Sequence, residues 1–152
     1  MSAWFEESRR GFLLDFQIPD SADQVPLGQL PTLRDIDPGK IVRQLKDAGV
    51  TALHTHARDY AGNCYYDTRV GHKHTGIGGR DLLREFSAAC RDAGMRILYY
   101  MYAAHSHEPR GACYAEQDFA AVDAEGKRAT DKQMCMNTPG REYLLALLKE
   151  LS

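Results

Sequence analysis

Two stretches of this 152-residue chain repeat one pattern, an amphipathic helix closed by Ala-Gly and followed at once by an apolar strand. The first copy, DPGKIVRQLKDAGVTALHTHARD, runs from Asp37 to Asp59; the second, RDLLREFSAACRDAGMRILYYMYAAHSH, from Arg80 to His107. Helix-then-strand repeats of this kind predict an α/β fold with parallel strands joined by right-handed crossovers. Phe12–Phe16 supplies a short apolar run, read as a first buried strand, before a Pro/Gly-rich loop from Ile18 to Asp37. Asp37-Pro38 is an N-cap with a proline at N1, and Gly49 closes the helix whose apolar face is Ile41, Val42, Leu45 and Ala48. Val50–His56 is the second strand, with Thr51, Leu53 and Thr55 on one face and Ala52, His54 and His56 on the other.

Asp81 is expected to cap the next helix, which turns Leu82, Leu83, Phe86, Ala89, Cys90 and Ala93 to a core and stops at Gly94. Met95–Tyr102 is nearly all apolar, as a parallel strand covered on both faces would be. A small hairpin is expected in FAAVDAEGKRA, turning at Glu125-Gly126. A last helix starts at Thr138-Pro139 and carries Tyr143, Leu144, Leu147, Leu148 and Leu151, with no strand after it. Three strands fall short of the five or so of a flavodoxin-like sheet, and the chain is shorter than the roughly 250 residues of a (β/α)₈ barrel. The segments after the second and third strands, Asp59–Arg80 and Ala103–Asn137, are long, as loops on the catalytic face of an enzyme barrel are. The reading is therefore an incomplete TIM barrel, about the first three β/α units, with residues 1–152 as its N-terminal portion.

Composition narrows the function classes. A net charge of −2 gives neither a basic stripe for nucleic acid nor a polybasic membrane patch. No apolar run approaches the roughly 18 residues of a membrane span, and MSAWFEESRR is too charged for a signal peptide. With Cys64, Cys90, Cys113 and Cys135 widely separated, the expectation is reduced thiols in a cytoplasmic protein.

All six histidines fall in His-x-His pairs, His54/His56, His72/His74 and His105/His107, at or just past strand exits. Strand exits are where parallel α/β enzymes keep their chemistry. His54 and His56 share a strand face, as two ligands of a metal-dependent hydrolase or isomerase would, but such sites draw further ligands from later strands. The alternative is that they line a barrel mouth and hydrogen-bond a polar ligand. YYDTRVGHKHTGIGGRD, from Tyr65 to Asp81, mixes aromatic, cationic and glycine residues as sugar-binding loops do. Gly76, Gly78 and Gly79 match no phosphate-binding motif, and no cofactor is expected. No serine or cysteine sits in a recognisable nucleophile motif.

From about Asp15 onward the chain resembles a glycoside hydrolase barrel family, hypothetical glycosyl hydrolase family six, related to α-L-fucosidases. The stretches that carry the resemblance are Leu14–Phe16 (LDF), YYDTRVGHKHTGIGGRDLL from Tyr65, AGMRILYYMY, VDAEGK and CMNTPGREYLLALLKEL. That family shows Tyr-Pro-Thr-x-x-Gly-x-x-His-Pro before Asp-Leu-Leu, and Asp67 and Thr75 replace both prolines. Related fucosidases place adjacent sugar-contacting histidines after the second strand, where this chain has Arg58-Asp59-Tyr60. The resemblance implies a retaining glycosidase, with a carboxylate nucleophile after the fourth strand and an acid/base residue beyond it, both outside this chain. It further implies that His54, His56, Arg58, Asp59, Tyr65, Tyr66, His72, His74, His105 and Asn137 form one side of the substrate pocket. From their strand-exit positions, His54, His56, His74 and Asn137 would bind hydroxyls, Tyr65 or Tyr66 would stack on a ring, and Arg58 and Asp59 would hold the second-strand loop. Carbohydrate is the expected partner, a homo-oligomer is one possible assembly, and the chain by itself is expected to be inactive and marginally stable. A non-catalytic carbohydrate-binding module is the remaining alternative.

Overall fold

A computed structural model of the protein describes residues 10–15, 17, 33–103, 119–128 and 134–152. Its elements in chain order are β1 (Gly11–Leu14), α1 (Pro38–Asp47), β2 (Ala52–Arg58), β3 (Asn63–Cys64), β4 (His72–Lys73), a 3₁₀ turn (Thr75–Ile77), α2 (Leu82–Asp92), β5 (Arg96–Met101) and α3 (Gly140–Glu150). The protein is α/β. β2 lies between β1 and β5 and is parallel to both, with His54 in register with Leu13 on one side and Leu98 on the other. Short β3 runs antiparallel to the end of β2, and β4 is parallel to β3.

Local chemistry sets the helix ends as the sequence requires. The Asp37 and Asp81 carboxylates accept from the backbone N–H groups of Lys40 and Arg84, each satisfying one orphan donor of a first turn. Past α1 the chain reverses through Gly49 at φ 79°, a conformation that costs glycine nothing. On the helix-covered face of the sheet, Leu53 and Ala57 of β2 join Val42, Leu82, Phe86 and Cys90 in one core. Tyr99 belongs to this side too; its hydroxyl meets Ser87 Oγ and donates to the Leu83 carbonyl.

The opposite face is less covered than the sequence predicts. β1, expected to be buried, leaves Leu13, in register with His54 on this face, 56% exposed, and Phe12, in register with Leu53 on the helix side, 42% exposed at the sheet edge. β5, expected to be covered on both faces, leaves Tyr100 50% exposed. The cause is topological: among the described residues β1 and β5 each pair only with β2, and the helices pack on one side. β2 also runs two residues further than predicted, to Arg58, because β3 pairs with its end. The segment between β2 and α2 is built structure and not an open loop, since β3, β4 and the 3₁₀ turn occupy it. The expected hairpin is present as two antiparallel bridges, Ala120–Met134 and Val122–Arg128, and Asp123 Oδ1 accepts from the N–H groups of Glu125 and Lys127 at its turn.

One arginine fastens the approach to α1 onto α2. Arg80 donates from Nη1 to the carbonyls of Leu33 (3.3 Å) and Arg34 (2.7 Å) and from Nη2 to that of Ile36 (2.8 Å). Its Nε and Nη2 also hold the two Glu85 oxygens. This bond to Glu85 leads the causes that raise the Arg80 pKa above its ordinary value. Only the planar fork of a guanidinium reaches all these acceptors. Arg80→Ala is expected to lower the unfolding free energy by about 2–3 kcal/mol, and Arg80→Lys to recover less than about half of that, in urea denaturation.

Candidate active site

Alternation along the strands delivers side chains to the open face in a fixed order. From β1 come Leu13 and, just past it, Asp15 and Gln17; from β2 come His54 and His56; from β5 and the residue after it come Tyr100 and Tyr102. Six of these, Leu13, Asp15, Gln17, His56, Tyr100 and Tyr102, line a groove of about 200 Å³ at the C-terminal ends of the three parallel strands. A second groove, about 600 Å³, lies between α1 and α2 and takes in none of the residues of the first.

Within the strand-exit groove the His56 ring is only 5% exposed, yet its buried Nδ1 has no hydrogen-bond partner. Asp15 Oδ1 lies 3.6 Å from that nitrogen. Gln17 braces the carboxylate, its backbone N–H donating to Oδ1 (3.0 Å) and its side-chain amide to Oδ2 (2.9 Å). Burial raises the Asp15 pKa, but the Gln17 bonds and the neighbouring His56 outweigh it and hold the carboxyl below its ordinary value. Tyr100 meets the His56 ring edge-on at 5.1 Å, and Tyr102 meets Tyr100 at 5.9 Å and 64°. The groove thus combines a fixed anion, an imidazole with spare hydrogen-bonding capacity, and an aromatic wall. It can bind hydroxyls on one side and an apolar ring face on the other.

The residues singled out in the sequence separate into two groups. His54 and His56 sit on the open face of β2, His54 exposed and His56 at the groove floor. Arg58, at the end of the same strand, is fully buried and donates from Nη1 to the Tyr102 carbonyl at 2.6 Å. The rest of the described set lies in the β2–α2 segment or beyond it. Buried Asp59 accepts from the Asn63 backbone N–H (2.9 Å), from Asn63 Nδ2 (3.0 Å) and from the Tyr65 hydroxyl (2.7 Å). The buried Tyr65 ring stacks on His74 at 5.4 Å, so its face is occupied from within the protein. His74 Nδ1 accepts from the Gly76 backbone N–H (2.9 Å), which makes it a cap of the 3₁₀ turn. Tyr66 is buried, its phenol pKa pushed up chiefly by that burial, and its hydroxyl donates to Glu150 at 3.2 Å. His72 lies in β4 paired with Asn63, and Asn137 is exposed ahead of α3. His105 and His107 lie outside the described residues. Among the described residues, no group of three or more His, Cys, Asp or Glu is placed to hold a metal ion.

Sequence reasoning passed over Gln17 and Tyr102, and it gave Asp15 no partner. Strand parity could have found them: each sits an even number of residues from Leu13 or Tyr100, on the face that carries His56. Glu150 was also missed. Its carboxylate takes bonds from Tyr66, from Thr68 Oγ1 (2.6 Å) and from the Arg69 N–H (2.6 Å), tying α3 to the segment before β4. No local pattern announces a contact more than eighty residues away. Gly71 belongs to the same junction, because a Cβ there would lie 2.8 Å from Cys64 Sγ and 2.9 Å from a Leu147 methyl.

Fold and groove together define an α/β protein with a polar, aromatic-walled site at the exits of parallel strands. Residues 37–151 match the family model described as hypothetical glycosyl hydrolase 6, and the chain belongs to that family. Among solved structures it is similar to the α-L-fucosidase isoenzyme 2 from Paenibacillus thiaminolyticus, with a TM-score of 0.74 at 16% identity over 93% of this chain and 21% of that one. It is also similar to a fucosidase of Ruminococcus gnavus, solved as a mutant in complex with fucose (TM-score 0.55, 26% identity, 78% of this chain and 23% of that one). The unliganded α-L-fucosidase AlfC from Lactobacillus casei gives a TM-score of 0.65 at 21% identity, covering 97% of this chain and 56% of that one. The chain therefore spans 21–56% of the length of these three structures. No curated protein matches it significantly. No helix among the described residues is long and apolar enough to cross a membrane.

Proposed function

We propose that this chain forms about the first three β/α units of a (β/α)₈ glycoside hydrolase domain and supplies one side of its sugar pocket. In the complete domain the reaction is hydrolysis of an O-glycosidic bond, α-L-fucosidase-like, with retention of anomeric configuration. The observation that carries this reading is the meeting of Asp15, His56, Tyr100 and Tyr102 at the C-terminal ends of three parallel strands, the end at which barrel enzymes work. Asp15 and His56 bind sugar hydroxyls, Tyr100 or Tyr102 covers a ring face, and His54 lies alongside on the same face. Asp59, Tyr65 and His74 act one step back, holding the β2–α2 segment, with Tyr66 joining it to α3.

Retention needs two carboxylates about 5–5.5 Å apart. One attacks the anomeric carbon while the other, as an acid, gives its proton to the departing oxygen; that second group then deprotonates the water that cleaves the glycosyl-enzyme. Both carboxylates are assigned to later strands of the complete domain. The test is hydrolysis of a panel of aryl glycosides by the complete domain, with the first-formed sugar anomer followed by NMR. Preferential cleavage of the aryl α-L-fucoside with the α-anomer appearing first is expected. Release of the β-anomer first would overturn the retaining mechanism, and turnover of none of the panel by folded protein would overturn the glycosidase reading.

A further inference from the structure

His56 is nine-tenths buried, and the one buried ring nitrogen it leaves without a partner is the one that faces Asp15. At 3.6 Å the two groups are too far apart for an ordinary hydrogen bond. They are close enough for the carboxylate's field to bias which nitrogen carries the proton, because the ring is buried even though the Asp15 side chain is half exposed. Among the described residues around His56, Tyr100 on β5 presents its ring edge-on to the imidazole, and Tyr102, one residue past the strand, packs against Tyr100. On β2 itself, Arg58 is directed by Nη1 to the Tyr102 carbonyl, and His54 stands on the exposed part of the strand. Gln17 donates to both Asp15 oxygens, which fixes the carboxylate plane and leaves its remaining lone pairs for the groove.

We propose that Asp15 is a positioning residue for His56: it keeps the imidazole proton on Nδ1, so that Nε2 meets a ligand hydroxyl as an acceptor. The hydroxyl donor in this statement rests on the sugar-pocket reading; the placement of the proton does not. A neutral His56 with its proton on Nε2 would instead donate to the ligand and leave two lone pairs, on Nδ1 and Asp15, facing each other. The carboxylate thereby sets the polarity of the subsite, which takes the hydrogen of a hydroxyl and discriminates against an ether or deoxy position.

Long-range ¹H–¹⁵N spectra of the ¹⁵N-labelled chain, at a pH above the titration of its histidines, read the tautomer directly. The wild-type ring is expected with Nδ1 protonated and Nε2 bare, and Asp15→Ala with the assignment reversed. Asp15→Asn, which removes the charge and keeps the volume, should lower the Nδ1–H population and serves if the alanine variant does not fold. A proton on Nε2 in the wild type, or a tautomer indifferent to both substitutions, overturns the proposal. In the complete domain, Asp15→Ala should raise KM for an aryl fucoside about tenfold with kcat within about threefold, as for one lost ground-state contact. A tautomer that shifts as stated while KM stays constant leaves the positioning role standing and sinks the sugar-pocket reading instead.

Discussion

Asp59→Ala is expected to lower the unfolding free energy by about 3–5 kcal/mol. The carboxylate is fully buried, and it is the acceptor for the Asn63 backbone N–H, the Asn63 amide and the Tyr65 hydroxyl. Truncation strands three buried donors at once, and each such group costs about 1–3 kcal/mol when left unmet. The losses overlap, because the segment relaxes and water enters, so the total stays below their sum. Tyr65→Phe removes one of the three bonds and leaves the carboxylate otherwise held; about 1 kcal/mol is expected. Urea unfolding of the two variants beside the wild type checks the ratio. A loss under about 1 kcal/mol for Asp59→Ala would mean that the network does not hold the β2–α2 segment.

His56→Ala is expected to reduce kcat/KM of the complete domain by about 10- to 100-fold. As proposed above, Nε2 of the buried ring accepts from a ligand hydroxyl, a bond whose gain is about 1–3 kcal/mol because without it the hydroxyl is buried unmet. The alanine variant forfeits that gain and one face of the groove together, and 1.4 kcal/mol corresponds to a factor of ten. Lys127→Ala, in the exposed turn of the bridge-paired segment, is the control and should leave kcat/KM within about twofold. Equal effects of the two substitutions would remove His56 from the site.

Those parts of the fold that depend on neighbours in sequence are legible in the sequence itself. The Asp37 and Asp81 caps, the stops at Gly49 and Gly94 and the core face of α2 all follow from spacing, because a cap or an amphipathic stripe is decided within one or two turns. Burial of β1 and β5 was not legible. An apolar run says that a strand wants cover, and it does not say whether this chain supplies it. The two-residue strands β3 and β4 are too short for any period to show. In the site, the His-x-His spacing placed His54 and His56 on one face of β2, whereas Tyr65, Asp59 and His74 proved to be occupied with one another. A tyrosine in a glycine-rich loop reads the same whether it faces solvent or a buried carboxylate. Only the register of β1 and β5 against β2 brings Asp15 and Tyr100 to His56.

The most direct test of the sugar pocket is a structure of the complete domain with α-L-fucose bound. The ring is predicted to lie over the ends of β1, β2 and β5, with a hydroxyl within about 3 Å of His56 and of Asp15 and a ring face toward Tyr100 or Tyr102. Fucose bound with none of these four residues in contact would contradict the account.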